Sequence, residues 1–388
     1  MTLFFFGTLR DRALLETVIG RHVAGIEIRQ AWAKGYGTRR VAGEGYPMLR
    51  HAAGEDVEGV LFTPLTEAER GAIAFYEEAE YGLSAITVET EAGPVEAQFF
   101  DATDKLIASD APWDFGAWYG ADGQGYDRLV ALEAAAELMP LAQTVPVERI
   151  DDYWPAIMNR ARQRATARLS QPVLGEIRQP FHLGEDVVFE AEERPFTGFF
   201  AVSRHTLRHR LFSGGMSAPL DRLTVAWGDA VTVLPYDAQR DRVLLIEQFR
   251  PGPAARRDPN PWCIEVPAGR IDDDAGVEAA LRREALEEAG ISLGRLHALP
   301  GYYPTPGLVT EHLSAWIGEA DLSDTAGGLH GAAGEGEDIR TIVLGVDAAM
   351  AALRDGAVNT APAQLLLLWL MLERPRLRRD WAGILGGD

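Results

Sequence analysis

Glu284, Glu287 and Glu288 fall in the stretch GRIDDDAGVEAALRREALEEAGI, residues 269–291, whose alanines and leucines otherwise spell an amphipathic helix. Glutamates four apart repel on a helix surface by about 0.2–0.5 kcal/mol per pair, so helix propensity does not explain the cluster. Glu284 and Glu288 project from one face a turn apart, with Glu287 on its flank. Carboxylates stacked in this way offer the oxygen ligands that Mg2+ takes in octahedral geometry, and can hold one ion or bridge two. A solvated acidic face fits the same letters. Glu335 and Glu337 form a second acidic group in the Gly-rich stretch TAGGLHGAAGEGED, which reads as a surface loop open to chemistry.

Strands must frame that helix. AVTVLPY and RVLLIEQF are strongly apolar runs separated by DAQRDR, as a hairpin requires, and TGFFAVSRHTLRHRL reads as a strand ahead of them. Earlier in the chain, LFFFG, VEGVLFTPL, AITVETEA and EAQFF surround the helical candidate EAERGAIAFYEEAE, a small α+β unit. Between them lie YDRLVALEAAAELMPLA and DDYWPAIMNRARQRATARL, two helical segments that make a connector. The divisions expected are 1–110, 111–175 and 176–388, with no fixed-period repeat. A chain of 388 residues suits two or three domains at roughly 100–200 residues each.

Hydrophobic content of 47% and charged content of 24% describe a chain that folds. A net charge of -21 opposes attraction to nucleic acid or anionic lipid. Cys263 is the single cysteine, which excludes an intramolecular disulfide and suits a buried apolar position in a cytoplasmic protein. MTLFFFGTLRDR lacks a basic leader region and reads as a first strand, and LLLLWLML is too short to span a bilayer, so no membrane partner is expected.

The stretch from Gly269 resembles the Nudix hydrolase signature G-x5-E-x7-R-E-U-x-E-E-x-G-U, with U a bulky aliphatic. Gly269, Arg283, Glu284, Glu287, Glu288, Gly290 and Ile291 fall on their positions, while Ala275 replaces the early glutamate and Ala285 the first bulky residue. Gly269 and Gly290 suit turns at either end, and Arg283 can pair with Glu287. The surrounding sequence is similar to ADP-ribose pyrophosphatases: Gln248 and Arg250 form their QxR, WCIEVPAGRID carries Glu265 and Ala268, and Pro306 stands fifteen residues after Ile291. That resemblance implies a C-terminal Nudix α/β/α sandwich hydrolysing ADP-ribose, or a related nucleotide sugar, to AMP and ribose 5-phosphate. It implies metal ligation by Glu284, Glu288, Glu337 and the Ala268 carbonyl, with Glu287 beside them, Mg2+ as cofactor and Mn2+ as substitute. Glu335 and Glu287 would be catalytic, and Arg250, Glu265 and Glu311 would bind substrate, Glu311 reaching across a homodimer. Phe196, Phe199 and Phe200 could stack on adenine but read as packing residues.

FFFGTLRD, GYGTRRVAGEGYPMLR, VEGVLFTPL and FYEEAEYGLSAITVE resemble the gamma-glutamylcyclotransferase-like fold, a small β-barrel with helices. The resemblance places the substrate loop at Gly7, Thr8 and Leu9, with Phe6 where tyrosine is usual, and the acid/base carboxylate at Glu77, followed by Glu78 where glycine is usual. The pair of domains is similar to Nudix proteins associated with tellurite resistance. Three readings stay open: a Mg2+-dependent ADP-ribose pyrophosphatase, a cyclotransferase forming 5-oxoproline through Glu77, and a non-catalytic ADP-ribose sensor.

Overall fold

The computed structural model describes residues 2–23, 27–42, 45–63, 65–77, 81–103, 106–171, 176–271, 276–323, 327–332, 334 and 336–382. It divides into two compact units, Met1–Leu223 and Thr224–Asp388.

In the first unit, β1 (Leu3–Phe5), β2 (Glu27–Val41), β3 (Pro47–Thr63), β4 (Tyr81–Thr90), β5 (Gly93–Ala102) and β6 (Ala108–Pro112) share one sheet in the order β3-β1-β5-β4-β2-β6. A further β2–β3 pairing closes its first five members into a barrel, which removes their free edges. The two-residue side-chain period of a strand sorts β1: Phe4 and Phe6 join one buried cluster with Leu61, Val88 and Phe99, whereas Leu3, Phe5 and Leu9 join another with the helices. Those helices are α1 (Arg12–Ile19), α2 (Glu67–Tyr76), α3 (Phe115–Tyr119), α4 (Tyr126–Leu138) and α5 (Trp154–Leu169). The small β-barrel with helices expected here is what forms, yet β2 was not among the expected strands. Its charged residues and the register shift between Lys34 and Tyr36, where Gly35 takes a positive φ, blur the alternation.

Helices α4 and α5 interlock through charge. Arg160 and Glu137 are both completely buried, Arg160 Nε donating to Glu137 Oε1 at 2.8 Å. Arg164 bridges Glu137 and Glu133, and Arg168 reaches Glu133 at 2.8 Å. After the short α6 (Leu183–Asp186) come β7 (Val187–Thr197), β8 (Ala201–His209) and β9 (Leu220–Ala226), a separate three-stranded sheet. This corrects two expectations. The strand expected from Thr197 begins at Ala201, because Gly198, Phe199 and Phe200 turn the β7–β8 hairpin, and Phe196, Phe199 and Phe200 are exposed, not packed inside.

The second unit has β10 (Ala230–Asp237), β11 (Arg242–Phe249), α7 (Pro251–Arg256), β12 (Trp262–Glu265), β13 (Ala268–Arg270), α8 (Gly276–Ala289), β14 (Leu296–Tyr302), β15 (Leu313–Glu319), β16 (Leu329–His330), β17 (Ile339–Gly345), α9 (Val346–Arg354) and α10 (Ala361–Ala382). Its mixed sheet runs β14-β15-β10-β11-β17-β16. Every residue of β10 is buried, as a strand covered on both faces must be. Val231, Val233, Leu244 and Ile246 pack on α8, while Leu234, Tyr236, Val243 and Leu245 pack with α9 and α10, which makes the α/β/α sandwich. β10 and β11 pair only beside their turn, at Tyr236↔Val243 and Asp237↔Arg242. Beyond it they part, and β13 takes up β10 while β12 takes up β11. Among the described residues no helix is long and apolar enough to cross a membrane.

Candidate active site

The parting of β10 and β11 sets the site. Glu265 ends β12, Ala268 begins β13, and α8 lies against β13 and β10. The face that α8 buries contains Ala280, Leu281, Ala285 and Ala289, and in register with them Glu284 and Glu288. Small residues bring the helix close to the sheet, and the two carboxylates go down with the apolar stripe. Glu284 is 8% exposed and Glu288 only 2%.

Each buried carboxylate is held. The Ala268 N–H donates to Glu288 Oε2 at 2.8 Å. The carboxylate of Glu284 fills the space a Cβ would take on Gly269, so Gly269 is glycine for close approach, not for the turn expected of it. Gly290, with φ 64°, does make the turn that ends α8. Arg283 is nearer Glu284, at 3.0 Å, than Glu287, at 3.9 Å, and also donates to the Arg270 carbonyl at 3.0 Å. Its expected partner one turn on is therefore the weaker of its two carboxylates, and Glu287 stays exposed.

Burial pushes the Glu288 carboxyl up to about 8, and the charges of Glu284 and Glu337 push the same way against the Ala268 N–H and Arg250. Glu337 accepts from the Ala332 N–H at 3.0 Å, on the loop before β17. Arg250 is pinned instead of free to swing: Nε donates to Glu265 Oε2 at 2.9 Å, and Gln248 Nε2 donates to the same oxygen at 3.0 Å. Glu265 thus orients the guanidinium that sits in the field of Glu288 and Glu337. Cys263 is buried beside it on β12, as expected.

Among the described residues, no group of three or more His, Cys, Asp or Glu side chains is placed so that it could hold a metal ion. Glu284 and Glu337 are each within electrostatic reach of Glu288 without forming a ligand shell with it. The donor chemistry, hard oxygens carrying excess negative charge, suits an oxygen-preferring dication. Glu335 and Ala275 lie outside the described residues.

Glu311 stands just before β15, half-buried, and burial raises its carboxyl with Asp229 adding to the effect. The Asp229 carboxylate accepts from the His312 N–H at 3.0 Å. Tyr302 shares this environment: burial and Glu311 both raise its hydroxyl. Asp229 and Tyr302 were not among the expected residues. Asp229 is brought to Glu311 by the parallel pairing of β10 with β15, Ala230 opposite Leu313, and no local spacing signals that.

In the first unit, Gly7 follows β1 and packs so closely that a Cβ would come 2.9 Å from Pro47 Cγ. Thr8 and Leu9 form a single 3₁₀ turn, and the Leu9 side chain is core, so only its backbone can meet a ligand. Glu77 caps the C-terminal end of α2 and is half-buried; its neighbours Tyr76 and Tyr81 pack in the same cluster as Leu9. Glu78 lies outside the described residues.

Comparison with known proteins matches both units. A family model described as the NUDIX domain covers residues 226–359, and one described as gamma-glutamyl cyclotransferase, AIG2-like, covers residues 3–120. The chain is 39% identical over 197 residues to an ADP-ribose pyrophosphatase of Escherichia coli, 51% of this chain and 93% of that protein. It is 33% identical over 199 residues to the ADP-ribose pyrophosphatase of Haemophilus influenzae, 51% and 91% respectively. It is also 34% identical over 143 residues to a GDP-mannose pyrophosphatase of Citrobacter koseri, 37% and 73%.

Proposed function

The chain belongs to the Nudix hydrolase family, with a gamma-glutamyl cyclotransferase-like unit ahead of the Nudix domain, and from that premise we propose that it cleaves the diphosphate of ADP-ribose to AMP and ribose 5-phosphate. The observation that carries this reading is Glu288: nearly fully buried, hydrogen-bonded to Ala268, and raised toward neutrality beside Glu284 and Glu337. Negative charge gathered at such cost is relieved by a cation, and the relatives bearing similar sequence are named for nucleotide-sugar diphosphates.

In this reading Glu284, Glu288, Glu337 and the Ala268 carbonyl would be the groups that hold Mg2+, or Mn2+ in its place. Such an ion would supply charge to neutralise the diphosphate oxygens and to lower the pKa of the attacking water. Arg250, held by Glu265, presents its remaining guanidinium N–H groups to a phosphate oxygen. Glu335, or Glu287 from the exposed flank of α8, takes the proton of the water that attacks phosphorus as the bridging P–O bond breaks. Glu311 meets the sugar side of the substrate. Burial and Asp229 raise its carboxyl, and its oxygens can hydrogen-bond a sugar hydroxyl. The homodimer belongs to the same proposal, supported by Leu365, Leu368, Met371 and Leu372, an apolar stripe exposed along α10.

A second reading concerns the first unit, where the close-packed Gly7 loop and Glu77 at the edge of the Leu9 cluster support a cyclotransferase that makes 5-oxoproline without metal. Neither the geometry nor the relatives' names bear on tellurite. The test is a screen of ADP-ribose, GDP-mannose and gamma-glutamyl compounds with and without Mg2+, products separated by chromatography. AMP from ADP-ribose only with metal is expected. Intact ADP-ribose alongside tight ADP-ribose binding would favour the sensor instead.

A further inference from the structure

We propose that His330 is a positioning residue that locks the loop bearing Glu337 onto the end of α8, an inference that rests on the Nudix reading of the site. The imidazole is wedged between two glycines. A Cβ on Gly290 would overlap its Cε1 and lie 2.9 Å from Nδ1, and a Cβ on Gly328 would lie 3.1 Å from Nε2. Gly290 is the left-handed residue that ends α8, so the ring packs directly on the backbone of the helix terminus.

The next residues continue the attachment. The Gly331 N–H donates to the Glu287 carbonyl at 3.1 Å, and the Ala332 N–H donates to Glu337 Oε2 at 3.0 Å. A Cβ on Gly331 would come 2.8 Å from Glu337 Cβ, so the two sides of the loop touch where Glu337 leaves it. On the other side, Leu329 and His330 pair with Arg340 and Ile339, a strand only two residues long. Such a short ladder fixes a register weakly. The ring therefore adds a side-chain contact to the Gly331–Glu287 hydrogen bond, and the two together refer Glu337 to Glu284 and Glu288. No proton transfer by His330 is involved: the role needs a flat ring of this size.

Groups that orient metal ligands are worth about 10–100-fold in metal affinity or activity. The test is titration of Mn2+ into the full-length chain by calorimetry, with ADP-ribose turnover measured on the same preparations. His330→Ala is expected to weaken Mn2+ binding and lower kcat by about 10–100-fold, with KM for ADP-ribose and the unfolding midpoint nearly unchanged. His330→Phe, which keeps a ring, is expected to restore most of both. Gly290→Ala should weaken Mn2+ binding more in the wild-type background than in His330→Ala, because only the former has a ring to displace. Wild-type Mn2+ affinity and kcat in His330→Ala would overturn the role. Should His330→Ala fail to fold, His330→Asn set against His330→Phe makes the same comparison, and equal Mn2+ affinity in those two overturns it. A wild-type chain that neither binds Mn2+ nor hydrolyses ADP-ribose overturns the Nudix reading itself, and this role with it.

Discussion

Glu288 shows how one residue's environment decides its chemistry. A carboxyl raised to about 8 in the fold and ordinary when unfolded keeps its proton in the folded chain over the window between. The metal-free fold therefore loses stability from this group as pH rises from the ordinary carboxylate range toward 8, and below that range the penalty vanishes. Measured as the difference between wild type and Glu288→Gln, the loss should reach the order of a few kcal/mol by pH 8. Thermal unfolding of both across pH 5–9 checks it; parallel curves would refute the assignment. Metal must displace the same proton, so Mn2+ affinity should rise about tenfold per pH unit below 8 and then level off. The clustering of Glu284, Glu287 and Glu288 was legible from their spacing, but only the motif around them separated it from a solvated acidic face. That Glu265 holds Arg250, and that Asp229 faces Glu311, was not legible, because the first depends on the register of β11 with β12 and the second on strands joined across a long stretch of chain.

Among elements, α8 and β13 approach closely enough for Glu284 to occupy the missing side chain of Gly269. Gly269→Ala should thus reduce AMP release by at least about 10-fold while circular dichroism stays unchanged, since it displaces a proposed ligand and not the core. Wild-type turnover in that variant would remove Glu284 from the site. Elsewhere, Arg160 and Glu137 form a wholly buried pair between α4 and α5. Arg160→Met removes the fully buried partner of Glu137 and leaves Arg164 as its remaining one, so it should cost about 3 kcal/mol in denaturant unfolding, with the Arg160→Met, Glu137→Leu double variant recovering part of it. A single variant within experimental error of wild type would refute that assessment. Helices α2, α4, α5 and α8 were readable in the sequence, whereas α1, α3, α7 and α9, none longer than nine residues, were not singled out. Strands β2 and β7 were not, since β7 is charged and exposed along nearly its whole length and β2 breaks its alternation at a bulge.

For the whole molecule, the family of each half could be seen in the sequence, since motif letters survive even where strand patterns fade. The exposed stripe on α10 could not, because Leu365 to Leu372 look like core until the packing shows which of them face inward: Leu366, Leu367 and Leu370 do. Light scattering should find a dimer, and Leu368→Glu with Leu372→Glu should yield monomers; a monomeric wild type would contradict this. The most direct test of the Nudix site is AMP release from ADP-ribose by wild type and Glu288→Gln, each with Mg2+ and with chelator. Wild type should turn over only with metal, and the variant should remain folded yet lose at least about 100-fold, since a ligand matters no less than the groups that orient it. Equal rates from the two proteins, or turnover indifferent to chelator, would contradict a metal site built on α8.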